Sequence, residues 1–428
     1  MNTSIPELHN FHKHDMSRPN PIDTVCRTLV HRKLKHLNGA LRIMDSWGDE
    51  IVGDRNGLYG AIRISDPTLY RRLVTSGSLG AAEGWMDQQW ETDNLTDLVR
   101  LFVHNIALSD TLDNGLSGIA AFIATLRHRK KANNRVGSRN NIRAHYDLGN
   151  DLFSLFLDST MTYSSAIFDS DHNSLESASI NKLDRICRKL NLEKDDHLLE
   201  IGCGWGSLAI HAAEHYDARV TAVTISQSQL DFAKSRAERQ GIGNRIDFQL
   251  RDYRDIKGQF KKIASIEMIE AVGHQYLPEF FERCGQLLDD DGCMVIQAIT
   301  MPDQRYEKYR KNCDFIQKYI FPGSCVPSLD AMLSQVKVRS KMKLIHLEDI
   351  GAQYAETLHH WHARFSKSEK EAKTLGYSDR FIRLWHYYLS YCEAGFREHY
   401  LSDLQMVFAN PGWHNDFTVE YPSVPCKR

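Results

Sequence analysis

The run Leu198-Leu199-Glu200-Ile201-Gly202-Cys203-Gly204-Trp205-Gly206 carries the sharpest chemical signal in the chain. Apolar residues end a strand at Ile201, three glycines turn the backbone, and a helical pattern follows to about residue 216. Glycine permits a tight turn and lets a ligand lie against bare backbone. In an open parallel sheet, a turn at the carboxyl end of a strand is a ligand site. A dinucleotide fingerprint needs G-x-G-x-x-G. Its third glycine would fall at 207, which is Ser207. The next strand ends at Thr224, where no acid stands to meet ribose hydroxyls. Gln229, one helical turn later, could supply that contact or be an ordinary surface glutamine.

The elements that must hold these residues are legible from residue 140 onward. HLLEI (197–201), RVTAVTI (219–225), RIDFQL (245–250), KIASIEM (262–268) and CMVIQAIT (293–300) are apolar strands separated by helical stretches. Such alternation predicts a parallel sheet covered on both faces. Residues 303–400 read as mostly helical, broken by KLIHLED (343–349) and closed by LQMVFA (404–409). The region 23–135 reads as a separate unit. It has a helix over 23–37, strands ALRIM (40–44) and AIRIS (61–65), an N-cap at Asp66 with Pro67 at the first helical position, and helices near 94–108 and 115–131. The expected boundaries are a polar tail over 1–22, an N-terminal domain over 23–126, a basic linker over 127–140 and a second domain over 141–428.

The 428 residues are 42% hydrophobic and 25% charged, with a net charge of −2, which fits a globular chain and not a nucleic-acid protein. No apolar run approaches the roughly 18 residues of a membrane span. The opening MNTSIPELHN lacks the apolar core of a secretory signal. Nine dispersed cysteines without a C-x-x-C pair suggest reduced thiols in the cytoplasm and no zinc site. His359, His360 and His362 match no standard zinc spacing, so no metal is expected.

The G-x-G-x-G preceded by an acid resembles motif I of class I S-adenosylmethionine methyltransferases. Further segments agree with one family: N-I-R-A-H-Y-D-L-G-N-D-L-F (141–153), M-T-Y-S-S-A-I-F (161–168), S-I-E-M-I-E-A-V-G (265–273), Y-I-F-P-G (319–323) and Y-L-S-Y-C-E-A-G-F-R (388–397). Together with D-P-T-L-Y-R-R-L (66–73) they resemble the cyclopropane-fatty-acyl-phospholipid synthases over about 40–410. The resemblance implies a Rossmann-like α/β methyltransferase with a mainly parallel seven-stranded sheet and a helical lid. A smaller α+β N-terminal domain for lipid recognition precedes it. It implies methylene transfer from S-adenosylmethionine to a cis double bond of a phospholipid acyl chain, with bicarbonate as the base.

By motif, the resemblance assigns Tyr163, Ser164, Glu200, Gly202, Cys203, Gly204, Trp205, Gly206, Thr224, Ser226, Gln229, Asp252 and Tyr253 to S-adenosylmethionine. It assigns Ser165, Glu270, Gln297, the Ile299 backbone and Tyr354 to the bicarbonate site. Cys392 falls at a cysteine labelled as an active-site residue, although an ordinary buried thiol is the simpler reading. Ala271 and Gln297 stand where the bacterial archetype has histidines, and both match a plant-type branch. An amide can donate to an anion but cannot carry a proton.

The implied chemistry explains these residue types. An alkene is a poor nucleophile, so the sulfonium methyl must be held close and in line. The carbocation that follows needs a dry pocket and aromatic faces, here Tyr163, Tyr354, Tyr319 and Tyr388. Ring closure needs a base within reach of the transferred methyl. If the proton is lost elsewhere, the product is methyl-branched or methylene-bearing; an amine N-methyltransferase is a further alternative. Residues 115–126 are apolar apart from Ser117 and Thr125, and run into Arg127, Arg129, Lys130, Lys131, Arg135, Arg139 and Arg143. That pattern suits peripheral contact with an anionic membrane at its inner face. A homodimer is implied by the resemblance alone.

Overall fold

The computed structural model describes residues 17–54, 56–113 and 149–414. The expected helix at 115–131, the basic segment 127–143 and the start of the 141–153 motif lie outside these residues. The chain divides into two compact units.

Among the described residues, the first unit comprises the N-terminal region up to residue 113, Asn312–Lys318 and Glu369–Glu398. Its elements are α1 (Pro21–Leu34), β1 (Ala40–Asp45), β2 (Gly48–Gly53), β3 (Tyr59–Ile64), α2 (Leu69–Met86), β4 (Trp90–Glu91), α3 (Leu95–His104) and α4 (Ile106–Asp113). The sheet order is β2-β1-β3-β4, parallel only between β1 and β3. The expected helix start at Asp66 is corrected. Asp66 instead accepts the Thr68 N–H (2.9 Å) and the Gln89 amide (2.9 Å) in a turn that precedes α2, which begins at Leu69. Sequence reading also passed over β2, a polar edge strand whose residues Gly48–Glu50 are exposed.

The second unit carries α5 (Asn150–Ser154), α6 (Leu175–Lys189), β5 (His197–Ile201), α7 (Ser207–His215), β6 (Arg219–Thr224), α8 (Gln227–Arg239), β7 (Ile246–Leu250), β8 (Phe260–Ile266), α9 (Leu277–Leu287), β9 (Leu288–Thr300), α10 (Asp303–Tyr309), α11 (Leu329–Arg339), β10 (Lys343–Asp349) and α12 (Gly351–Lys367). Two helices follow in the chain and belong to the first unit, the short α13 (Glu369–Thr374) and the long α14 (Asp379–Arg397); β11 (Ser402–Ala409) returns to the second. The seven-stranded order is β10-β11-β9-β8-β5-β6-β7. Strands β5 to β9 are mutually parallel, and β11 runs antiparallel to both β9 and β10. Leu198, Val220, Ala264 and Val295 pack toward α6 to α8 on one face. Leu199, Ile263, Met294 and Met406 pack toward α9 and α11 on the other. Strand order reverses at β5, between β6 and β8, so the loops after β5 and β8 open at the switch point where α/β sheets bind ligands.

In the first unit, α14 packs on α2 and α3. Trp85 Nε1 donates to the Arg383 carbonyl (2.9 Å), the Arg383 guanidinium lies over the Trp85 ring (3.9 Å to centroid), and Arg100 pairs with Glu398 (2.7 Å). The sequence placed 312–318 and 369–398 in the second domain. Packing assigns them to the first, because the amphipathic face of α14 is buried there by Trp385 and Ile382.

Candidate active site

The glycine turn is built as its sequence predicts. Gly202, Gly204 and Gly206 all have positive φ, at +85°, +52° and +83°. Gly202 and Cys203 donate their N–H groups to the Val223 carbonyl at the end of β6 (2.9 and 3.0 Å), tying the turn to the neighbouring strand. A Cβ at Gly204 would meet nothing within 4 Å, so the turn presents bare backbone to open space. Glu200 is buried with Oε2 unpartnered among the described residues, and burial lifts its carboxyl to about 7 against the opposing pull of Lys182. These features fit S-adenosylmethionine, whose sulfonium supplies an electrophilic methyl. Gln229 is buried and not a surface residue; Thr224 Oγ1 donates to its Oε1 (2.9 Å), and Ser226 caps α8. Asp252 is held by Arg254 (2.7 Å), and the Tyr253 ring packs edge-on against Phe280 (5.4 Å). Trp205 donates to Asn150 (2.8 Å) and packs on Phe153 (4.9 Å). Tyr163 stacks on Trp361 (5.3 Å) and meets Phe153 edge-on (5.2 Å), which forms the aromatic lining expected near a cation.

The centre of the second unit is a residue that sequence reading missed. Glu267, the first residue after Ser265-Ile266 at the end of β8, adopts φ +49°. Its Oε1 accepts from Ser164 Oγ (2.6 Å), the Ser165 N–H (2.9 Å) and Gln297 Nε2 (2.7 Å). Its Oε2 accepts from the Tyr354 hydroxyl (2.7 Å). Three groups expected around the anion, Ser165, Gln297 and Tyr354, therefore do converge, but on a side chain, and Ser164, expected at S-adenosylmethionine, joins them there. The signal in the sequence was the pair of acids in S-I-E-M-I-E, of which the resemblance picked only the second.

Glu270 lies three residues on. It accepts the Ile299 N–H at Oε1 (2.6 Å), and its buried Oε2 has no partner among the described residues. Burial, with Glu267 nearby, lifts its carboxyl to about 8. Asp403 on β11 accepts the other N–H of Gln297 (2.8 Å). Burial and the carboxylates of Glu267 and Glu270 hold it well above the usual carboxylate range. The direction of the Gln297 amide is fixed from behind. Gln405 Nε2 donates to Gln297 Oε1 (3.0 Å), Lys189 Nζ donates to Gln405 Oε1 (2.5 Å), and Lys189 pairs with Glu348 (2.5 Å). An ammonium has no acceptor, so the chain can run only one way. Glu270 thus holds a buried carboxyl oxygen here, and Tyr354 a bonded hydroxyl.

Three assignments change. The Ser165 hydroxyl turns to the Ala166 carbonyl (3.0 Å), and only its backbone N–H reaches the centre. The Ile299 N–H is committed to Glu270. Cys392 belongs to the first unit, where burial and Asp314 push its thiol up, away from the thiolate form. The donors expected to hold bicarbonate are thus engaged by resident carboxylates. A further anion would find the Ser165 and Ile299 N–H groups, the Gln297 amide and the Tyr354 hydroxyl already taken, so these donors do not fit that ion.

Glu270 makes a pH prediction. Unfolded, it releases its proton near 4.5; folded, it keeps the proton to about 8. Between these values the folded state binds more protons, so this contribution is fully present below 4.5 and is lost as pH rises through 8. Glu270→Gln keeps the acceptor for Ile299 and stays neutral. Its melting temperature at about pH 9 is expected to exceed that of the parent, by the equivalent of a few kcal/mol at roughly 1.4 kcal/mol per pK unit. Thermal melts of both proteins across pH 5–9, roughly the window in which the two forms part, would check it.

The fold and the glycine turn define a class I S-adenosylmethionine-dependent methyltransferase. Residues 133–406 match the model of the mycolic acid cyclopropane synthetase family. The chain belongs to that family and is a methyltransferase of the cyclopropane synthase type. It is 36% identical over 396 residues to tuberculostearic acid methyltransferase UfaA1 of Mycobacterium tuberculosis, covering 91% of each chain. It is 36% identical over 353 residues to the cyclopropane-fatty-acyl-phospholipid synthase of Escherichia coli K12, covering 81% of this chain and 87% of that one. The solved mycolic acid cyclopropane synthase CmaA1, complexed with SAH and CTAB, superposes with a TM-score of 0.59 at 30% identity, covering 64% of this chain and 98% of that one. A cyclopropane or methyl transfer from S-adenosylmethionine to lipid acyl chains is the activity these relatives support.

Proposed function

We propose that the protein alkylates a cis double bond in the acyl chain of a membrane phospholipid, with cyclopropanation as the main outcome. The observation that carries this reading is the half-buried Glu267 centre at the end of β8, against which the glycine turn lies. A Cβ on Gly202 would touch the Met268 side chain (2.6 Å), so the methyl-donor loop and the carboxylate loop are neighbours. The aromatic group of Phe153, Tyr163 and Trp361 supports it, because it keeps water out and favours positive charge. Tyr354 and Gln297 hold the carboxylate in place, and the amide chain behind Gln297 keeps its donors pointed forward.

The relative UfaA1, a tuberculostearic acid methyltransferase, supports a second product, a methylene-bearing chain formed at the same site; a saturated methyl-branched chain would need a separate hydride donor as well. Incubation with S-adenosylmethionine and liposomes of a cis-unsaturated phospholipid separates the two. Cyclopropane product gains one CH2 and resists ozonolysis; methylene product gains the same mass and is cleaved. No mass gain on any unsaturated lipid would defeat both readings.

Peripheral attachment to the inner face of an anionic membrane is part of the proposal and rests on residues 115–143 of the sequence. No helix among the described residues is long and apolar enough to cross a membrane. Reversing charge at Lys130 and Lys131 is expected to weaken liposome binding by about 1 kcal/mol per residue replaced, and to flatten its salt dependence. Binding unchanged in a flotation assay would refute it. A homodimer is proposed on family likeness, to be read by light scattering.

A further inference from the structure

Glu267 stands where the family resemblance puts a separate inorganic base. The four donors that surround it come from three distant stretches of chain, namely Ser164 and Ser165, Gln297 on β9, and Tyr354 on α12. Non-glycine residues at positive φ cost about 1–3 kcal/mol and persist where the surroundings impose them. Glu267 is such a residue, held in place by its carboxylate. A carboxylate offers about four lone-pair positions. Among the described residues Oε1 takes three donors, whereas Oε2 takes only the Tyr354 hydroxyl, which leaves it room for a proton.

We propose that Glu267 is itself the base of the reaction and that this chain works without bicarbonate. The inference rests on the olefin-alkylation reading above. The π pair of the olefin forms a C–C bond to the sulfonium methyl, the C–S bond breaks, and its pair stays on sulfur. A carbocation is left on the neighbouring olefinic carbon. A C–H bond of the transferred methyl then breaks, its pair closes the ring, and the proton passes to Glu267 Oε2. For the methylene product, a hydride first shifts from the methylated carbon to the cation, and the same proton loss leaves a C=CH2 branch on the open chain. Tyr354 and Gln297 are positioning residues in this scheme.

The test uses the full chain, S-adenosylmethionine and vesicles of an anionic phospholipid with cis-unsaturated chains, in buffer freed of carbon dioxide. Turnover of the parent protein is expected to stay within about twofold with or without added bicarbonate. Glu267→Gln, nearly isosteric, is expected to lose roughly a hundred- to ten-thousandfold in kcat. Its S-adenosylmethionine affinity, read by calorimetry, is expected to stay near that of the parent, which a mere folding defect would not allow. Glu267→Gly suits the positive φ and empties the site; added bicarbonate or formate is expected to restore turnover about tenfold or more. Parent turnover that collapses without bicarbonate and returns with it would overturn the proposal, as would full activity of Glu267→Gln. If the glutamine variant does not fold, the parent's response to bicarbonate still decides. Product that depends on bicarbonate defeats only the base assignment; no product under any condition defeats the alkylation reading and takes this one with it.

Discussion

Lys182→Met is expected to lower the melting temperature by roughly 10 °C and to move the activity profile toward alkaline pH. Lys182 is fully buried on α6 and donates to Ser164 Oγ (3.1 Å), the same hydroxyl that binds Glu267. Burial pulls its ammonium below the usual lysine value, while Glu267, Asp403, Glu200 and Asp158 pull it back toward the charged form. Removing a buried cation from among carboxylates typically costs about 3–5 kcal/mol, because they are left uncompensated. Replacing a buried ion pair entirely can be neutral, but here only one sign is removed. Without Lys182 the carboxyl groups of Glu200 and Asp403 hold their protons to higher pH, since Lys182 is a lowering influence on each. The sign is therefore fixed: any step that needs Glu200 or Asp403 ionised rises later on the pH axis. Thermal melts and a pH–rate profile measure the two effects. A melting temperature equal to the parent's would mean that the cluster is already neutral without the lysine.

Gly202→Ala is expected to abolish S-adenosylmethionine binding and to destabilise the fold strongly, whereas Gly204→Ala is expected to lose binding with a smaller loss of stability. At Gly202 the new methyl would stand 2.6 Å from Met268 Cγ and 2.9 Å from Met268 Cβ. Met268 follows Glu267 directly, so the collision is passed to the carboxylate loop. At Gly204 the methyl would meet no protein atom within 4 Å. The cost there is the left-handed backbone, about 1–2 kcal/mol, plus the ligand volume it occupies. Calorimetric titration with S-adenosylmethionine and parallel thermal melts separate the two. The pair should fall together in affinity, by a hundredfold or more on the order of 3 kcal/mol, and apart in stability. Equal melting temperatures would show that the loop after β8 yields, and that the glycine turn does not brace it.

The glycine turn and the parallel strands were legible because they are local: apolar runs and three glycines need no distant partner to be understood. Glu267 was not. Its side chain matters because residues at 164, 165, 297 and 354 meet it, and its left-handed backbone has no mark in the sequence. Gln297, which stands where the archetype has histidine, bridges two carboxylates and heads a chain of amides that ends at Lys189. Family likeness pointed to Glu270 and to an anion between the donors; the folded chain answers with an acid three residues earlier. The unit boundary was illegible for a related reason. Nothing in 369–398 taken alone says that Trp85 and Arg100 are its partners.

That last arrangement bears on how the protein is made. The N-terminal unit leaves the ribosome first, yet the helix that buries Trp85 and engages Arg100 is translated almost 300 residues later. At about 5–20 residues per second, that is an interval of tens of seconds during which the early part of the chain waits with apolar surface uncovered. Vectorial synthesis therefore cannot finish this unit in order, and chaperone capture during the wait is the natural safeguard. A fragment ending at Arg127 should accumulate as insoluble material, and supplying residues 369–398 in trans should return part of it to solution.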